Sequence, residues 1–341
     1  MYLLPFLLLW QLYKSIRMYQ FIKINFSCNS KLLFLRLAAF YVIFCSCSDN
    51  SSTDENAALM QKFVKDISLY AKNIKSDFII IPQNGIELAF NNSEPDDGIM
   101  ASYVQAIDGI GVEELFYNGK FAVDNESLDM LRKLKSSLPI FVSDFVSGSE
   151  NLAHAKQMCV NEGFIPFLRS ADNYDYKLIP NEIPNVNQNN IEGLNDAKNY
   201  LYLISTENYR NKQTMIDAIK STDYDLILID LFFDDELFTK SEIQQLKIKN
   251  NGGRRLVISY ISIGSAENYR YYWQSGWKKG SPSWIKKNYE EYPDEYWVEF
   301  WHPEWQKIIF GNNNSYIKKI VDAGFDGAYL DNVEAYYFLV I

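Results

Sequence analysis

The chain has 341 residues, 48% hydrophobic and 22% charged, an ordinary globular composition long enough for one large domain plus a leader. Its formal net charge of −10 repels nucleic acid and anionic polymers and suits a neutral or cationic ligand. Cysteines stand only at 28, 45, 47 and 159, and the two histidines are His154 and His302; this excludes a disulfide framework and a Cys-rich zinc site, and weighs against a Ser-His-Asp triad or a multi-His metal centre.

Residues 1–46 read as a leader. They carry Lys14, Arg17, Lys23, Lys31 and Arg36 with no acid, then a short apolar run at 37–44 and the tripeptide Cys45-Ser46-Cys47. A basic start, an apolar run and a small residue before a cysteine read as an export signal, and the run is short for a membrane span of ~20 residues. The arrangement resembles a bacterial lipoprotein leader with Cys47 as the acylated residue. That implies an exported protein, at the cell surface, in the periplasm or secreted, touching a membrane only through a lipid anchor. Residues 1–17 form a second apolar opening, so Met18 is an alternative start. The tract 47–57 reads as a polar tether. The leader carries +5, which leaves about −15 on the remainder.

Eight strand-like runs follow: 78–82 (FIIIP), 112–116 (VEELF), 140–144 (IFVSD), 164–168 (FIPFL), 201–204 (LYLI), 226–230 (LILID), 256–260 (LVISY) and 328–331 (AYLD). Helical stripes lie between most of them: Met60, Phe63, Val64 and Ile67; Leu128, Leu131 and Leu134; Met215, Ile216 and Ile219; Ile317, Ile320 and Val321. Strand runs alternating with 3.6-period segments predict parallel βα units, and eight of them predict a (β/α)8 TIM barrel over residues 58–341. An open doubly wound sheet is the alternative, but no Gly-rich phosphate loop follows any strand. Neither a cofactor nor a metal is expected.

In such a barrel the carboxyl ends of the strands converge on one rim. The residues there are Asp230, Tyr260 with Glu267 beyond it, Asp331 with Asn332 and Glu334, Gln83 and Asn84, Asp144, and Arg169. Glu113 and Glu114 sit within VEELF, where alternation points one inward and one outward. Glycoside hydrolysis needs two carboxyls across a sugar-sized gap, and the candidates are Asp331, Asp230, Glu267 and Glu113. Any one of them could instead cap a helix or a turn. Arg270 either holds a carboxylate in place or pairs at the surface. Beyond the leader all six tryptophans, at 273, 277, 284, 297, 301 and 305, lie between LVISY and AYLD. Flat rings with a polar edge suit sugars, so Trp273, Trp297 and Trp301 are expected over the site; the other reading is a loop packed on itself.

Three stretches, ISYISIGSAENYRYYW, EYWVEFWHPEW and AGFDGAYLDNVEAYYF, resemble glycoside hydrolase family 114, the group of endo-α-1,4-polygalactosaminidases and extracellular proteins once labelled cysteinyl-tRNA synthetase related. The resemblance implies a TIM barrel acting on an amino-sugar polysaccharide; a monomer is expected, with ligand contacts near the strand ends from Tyr260, Arg270, Asp144, Tyr329 and Asn332. It also implies an exchanged order. The family chain starts with a segment like NDAKNYLYLIS and ends with one like GFIPF, whereas here the second block comes first. That reads as a circular permutation with residues 177–193, rich in Pro and Asn, joining the usual termini; splicing of two tandem copies is the other explanation. The polygalactosaminidase branch has a Glu two residues before the Asp of the last strand. Tyr329 stands at that position here, and this favours the alternative of a carbohydrate-binding barrel that does not cut. Aminoacylation of tRNA is excluded by the missing zinc cysteines, the missing HIGH-type sequence and the acidic charge.

Overall fold

The computed structural model describes residues 33–290 and 292–339, with side chains from residue 53 onward. All eight predicted runs are strands: β1 Ile79–Pro82, β2 Ile110–Phe121, β3 Ile140–Val146, β4 Ile165–Arg169, β5 Tyr200–Tyr202, β6 Leu226–Asp230, β9 Leu256–Ser262 and β13 Gly327–Asp331. Five form one parallel sheet in the order β1-β13-β9-β6-β5, and β2-β3-β4 form a second parallel sheet. Their near-continuous apolar composition follows from burial on both faces; every residue of β6 and β9 is buried.

Helices connect these strands and cover them. Helix Asn125–Leu134 starts on an Asp124 cap and buries Leu128, Met130, Leu131 and Leu134. Helix Lys212–Lys220 starts on an Asn211–Thr214 capping box and buries Met215, Ile216 and Ile219. Helix Tyr316–Ala323 buries Tyr316, Ile317 and Ile320, while Val321 is half-buried at its edge. The helix Leu33–Ile74 takes in the tract read as a tether at 47–57. Asn56 and Ala57 are already buried, because Ala57, Met60 and Phe63 continue one apolar stripe a turn further back. Asn56 also donates to Tyr336 O at 3.4 Å. Residues 1–32 of the leader read at 1–46, and the side chain of Cys47, lie outside the described residues. Among the described residues no helix is long and apolar enough to cross a membrane.

A single closed ladder of eight strands was expected, and the structure differs. β1 and β2 meet in one parallel bridge, Gln83 to Gly111, with Asn84 N donating to Gly111 O at 2.7 Å. β4 and β5 share no ladder among the described residues. Pro166 in β4 has no N–H to offer, and β5 is three residues long. Rings fill that seam instead: Tyr200 packs edge-on against Phe141 at 5.3 Å and lies 5.6 Å from Phe167.

At the opposite end from the strand-end carboxylates, the segment 177–193 is pinned to the sheet. Asn187 Nδ2 donates to Asp225 Oδ2 at 2.9 Å, Lys249 Nζ pairs with Asp225 Oδ1 at 3.0 Å, and Ile191 N bonds Arg254 O at 3.0 Å. Lys249 and Asp225 are fully buried, so each depends on the other for compensation.

The Trp-rich stretch is an antiparallel sheet with the order β10-β12-β11, made of β10 Ser265–Glu267, β11 Ile285–Asn288 and β12 Glu295–Val298. Its register sets Ser265 opposite Trp297 and Glu267 opposite Glu295. A two-residue ribbon, β7 Phe232–Phe233 with β8 Glu236–Leu237, follows β6.

Candidate functional site

Parallel register aligns the carboxyl ends of three central strands. Asp230 of β6 lies beside Tyr260 of β9, and Asp331 of β13 lies beside Ser262. Tyr260 Oη donates to Asp331 Oδ2 at 2.6 Å, and the Asn332 N–H donates to Asp331 Oδ1 at 2.8 Å. Asn332 takes φ of 58°, a conformation that costs free energy outside glycine. Its side chain compensates: Nδ2 donates to Ser262 Oγ at 2.9 Å and to Ser265 Oγ at 3.1 Å. Burial pushes the Asp331 carboxyl up to about 7, and the negative charge of Glu113 adds to the rise; the donors from Tyr260 and Asn332 pull the other way.

Asp230 and Glu267 are joined through Arg270. The guanidinium donates to both Asp230 oxygens at 2.9 and 2.8 Å and to both Glu267 oxygens at 2.6 and 2.9 Å. All three residues are buried, and Arg270 lies 5.1 Å from the Tyr269 ring centroid and 5.8 Å from that of Tyr316. Of the two readings of Arg270, the structure has it holding carboxylates. Burial raises the pKa of Asp230 even against that pairing.

Glu113 sits within β2 in a different setting. It accepts from Gln83 Nε2 at 2.8 Å and from Tyr176 Oη, and Tyr202 Oη donates to Gln83 Oε1 at 2.9 Å. Alternation of Glu113 and Glu114 fails: Arg169 Nη2 lies 3.7 Å from Glu113 and 3.1 Å from Glu114. The cause is local. Glu114 has φ of 57°, and the β2–β3 register shifts between Glu113 and Asn118, so both carboxylates reach one arginine.

Two expected ligand contacts are instead interior residues. Asp144 is fully buried, and its Oδ1 accepts the Phe116 N–H released by the β2 irregularity at 3.2 Å. Burial pushes its carboxyl up to about 7. Tyr329 is also buried; its hydroxyl has no hydrogen-bond partner and lies where a Cβ on Gly111 would be, 1.8 Å away.

Two further carboxyls belong to this region. Burial raises Glu334 well above its ordinary range, with Asp331 the leading charge against it. Burial raises Glu295 to about 8, with Glu267 the leading charge. Ser265 Oγ donates to Glu295 Oε2 at 2.7 Å. Sequence reasoning names Glu334 as a strand-end neighbour of Asp331 but passes over Glu295. Only the pairing of β10 with β12 brings Glu295 to the site, and that pairing has no hairpin turn of recognisable type to announce it.

The tryptophans pack mostly on protein. Trp297 is buried between Tyr289, 4.3 Å away, and Phe338, 4.7 Å away. Trp273 stacks on Tyr296 at 5.3 Å, and Trp301 stands edge-on to Phe300 at 4.8 Å. Tyr269 is the exposed ring beside the carboxylates: it is 54% exposed, and its Oη donates to Glu267 Oε1 at 2.5 Å. Among the described residues no group of three or more His, Cys, Asp or Glu is arranged to hold a metal ion.

Residues 186–338, which contain Asp230, Tyr260, Glu267, Arg270, Glu295 and Asp331, match the model of Glycoside-hydrolase family GH114. This segment resembles that family. An uncharacterized protein of Methanocaldococcus jannaschii is 38% identical over 156 residues, 45% of this chain and 43% of its own length. Others from Deinococcus radiodurans and Thermotoga maritima are 35% and 31% identical, over 36% and 35% of this chain and 38% and 36% of their own lengths. The chain thus spans less than half the length of each of these relatives.

Proposed function

We propose that the chain is an exported glycoside hydrolase-like protein that cleaves glycosidic bonds in an amino-sugar polysaccharide, with Asp331 as one member of a carboxyl pair. The observation that carries this reading is the Asp331 carboxyl itself. It is half-buried at a strand end, accepts hydrogen bonds from Tyr260 and Asn332, and is pushed up to about 7, the range a group needs to exchange protons near neutral pH. It also lies inside the segment that resembles a glycoside-hydrolase family. The acidic charge of the chain favours a polymer bearing amines. Polygalactosaminidase activity rests on the resemblance alone; action as a monomer without a cofactor is proposed with it.

The eight strands are read as one barrel in permuted order. In support, β1 neighbours β13, which joins the first strand of the chain to the last, and the Gln83–Gly111 bridge carries the contact on to β2. Export with Cys47 acylated rests on the sequence around 37–47. Metabolic labelling with a palmitate analogue, retained in the wild type and lost in Cys47→Ala, tests it.

The test of activity is release of oligosaccharide from de-N-acetylated α-1,4-galactosaminan. The expected result is turnover by the wild type and a loss of about 10²-fold or more in Asp331→Asn, with a melt no lower than that of the wild type. The second reading, a barrel that binds the polymer without cutting it, is favoured by Tyr329, which fills the position of the family's Glu with a buried ring. Binding without product release selects it.

A further inference from the structure

Resting on the hydrolase reading, we propose that Glu295 is the second carboxyl of the site, the acid that protonates the leaving oxygen while Asp331 acts at the anomeric carbon. Elimination among the neighbouring carboxyls is the first argument. Asp230 and Glu267 share one guanidinium through four hydrogen bonds, which engages both oxygens of each carboxyl. Glu113 accepts from Gln83 and Tyr176 and stands near Arg169, so it too is engaged by protein donors. Glu295 forms no ion pair among the described residues. It faces Glu267 directly across an antiparallel pair, where two like charges oppose folding. The arrangement is relieved when one member is neutral. Arg270 bonds both oxygens of Glu267, so Glu295 is the member of the pair assigned the proton. Burial acts in the same direction.

The second argument is the brace between the two carboxyls. Ser265 Oγ, which donates to Glu295, lies 2.8 Å from Ser262 Oγ. Asn332 Nδ2 bonds both hydroxyls, and the Asn332 backbone N–H bonds Asp331. One residue thus positions both ends of the pair. Asp331 accepts two hydrogen bonds, from Tyr260 and Asn332, whereas Glu295 accepts one, from Ser265, and stands opposite Glu267 in the strand pair.

The chemistry balances. Glu295 gives its proton to the glycosidic oxygen as the C1–O bond breaks and the bonding pair goes to that oxygen. Asp331 either deprotonates the water that bonds C1, or bonds C1 first and is displaced by a water that the Glu295 carboxylate deprotonates. One water is consumed in both routes, and the proton balance closes by exchange with solvent.

The experiment compares wild type, Glu295→Gln and Glu295→Asp on two substrates: the galactosaminan polymer, and a galactosamine oligomer carrying a dinitrophenyl leaving group that departs without protonation. Gln retains the oxygen that Ser265 bonds. Glu295→Gln is expected to lose about 10²-fold or more on the polymer and less than about tenfold on the activated oligomer, and to lose the alkaline limb of the pH profile. Glu295→Asp is expected to be slowed on the polymer with that limb retained. Equal rates for wild type and Glu295→Gln on both substrates, or equal losses on both with an altered melt, overturn the assignment while the hydrolase reading stands. A wild type inactive on both substrates overturns the hydrolase reading, and this assignment with it.

Discussion

Glu267 and Glu295 stand directly opposite one another in the β10–β12 pair, two acids at a position where like charges oppose folding. The sheet tolerates them because Arg270 compensates the first and the second keeps its proton. Arg270 is therefore the residue on which this corner depends. Arg270→Met is expected to destabilise the protein by about 3–5 kcal/mol near neutral pH, since Asp230 and Glu267 are then buried without compensation. The deficit is expected to shrink in acid, where those carboxyls take up protons. Urea denaturation of both proteins at several pH values reads both effects. Arg270→Lys, which keeps the charge without the planar fork, falls between them.

Asp331 makes stability depend on pH with a definite sign. Its folded pKa of about 7 lies above the ordinary 3.8, so between these values the folded protein binds more protons than the unfolded chain. Stability from this group is full below about pH 3.8, declines as pH rises to about 7, and is flat beyond. Asp331→Asn removes that slope. Denaturation midpoints of wild type and mutant are expected to converge toward acid and to separate toward pH 8, with the mutant the more stable.

Tyr329 carries a buried hydroxyl with no partner. A polar group in that state costs free energy, so Tyr329→Phe is expected to match or exceed wild-type stability in thermal melts. Tyr329→Glu, which restores the family's residue type, inserts a carboxyl among Glu113, Asp331 and the Gly111 backbone. It is expected to destabilise and not to raise activity.

Much of the fold was legible in the sequence, because short apolar runs bounded by polar residues or Pro announce buried parallel strands. FIIIP, LILID, LVISY and AYLD each became a strand ending in the predicted neighbourhood. What failed was whatever depended on partners remote in the chain. The positive φ at Glu114 turned two glutamates toward one arginine, and nothing in VEELF signals it. Asp144 looked like a rim residue, but the irregularity in β2 left backbone N–H groups that it had to satisfy. The tryptophans looked like a sugar platform, and the Trp297 ring is held between Tyr289 and Phe338. Glu295 was hidden because its role comes from a cross-strand neighbour 28 residues earlier, Glu267.

Gly264 tests whether the strained Asn332 turn controls the site. A Cβ there would come 1.9 Å from the Asn332 carbonyl oxygen and 2.6 Å from the Ala335 Cβ. The first obstacle is backbone and cannot rotate away, so Gly264→Ala must displace residue 332. That displacement breaks the Nδ2 bonds to Ser262 and Ser265 and withdraws the N–H from Asp331. The expected cost is about 3 kcal/mol or more, in the range of severe overpacking with lost buried hydrogen bonds. Gly193→Ala is the control: its backbone is extended at φ of −149° and its Cβ would meet nothing within 4 Å, so a change within about 0.5 kcal/mol is expected. Thermal melts of both variants, with the polymer assay on whatever fraction of Gly264→Ala folds, read the effect. A Gly264→Ala protein as stable and as active as Gly193→Ala would mean that the turn relaxes freely and that Asn332 does not hold Asp331 in place.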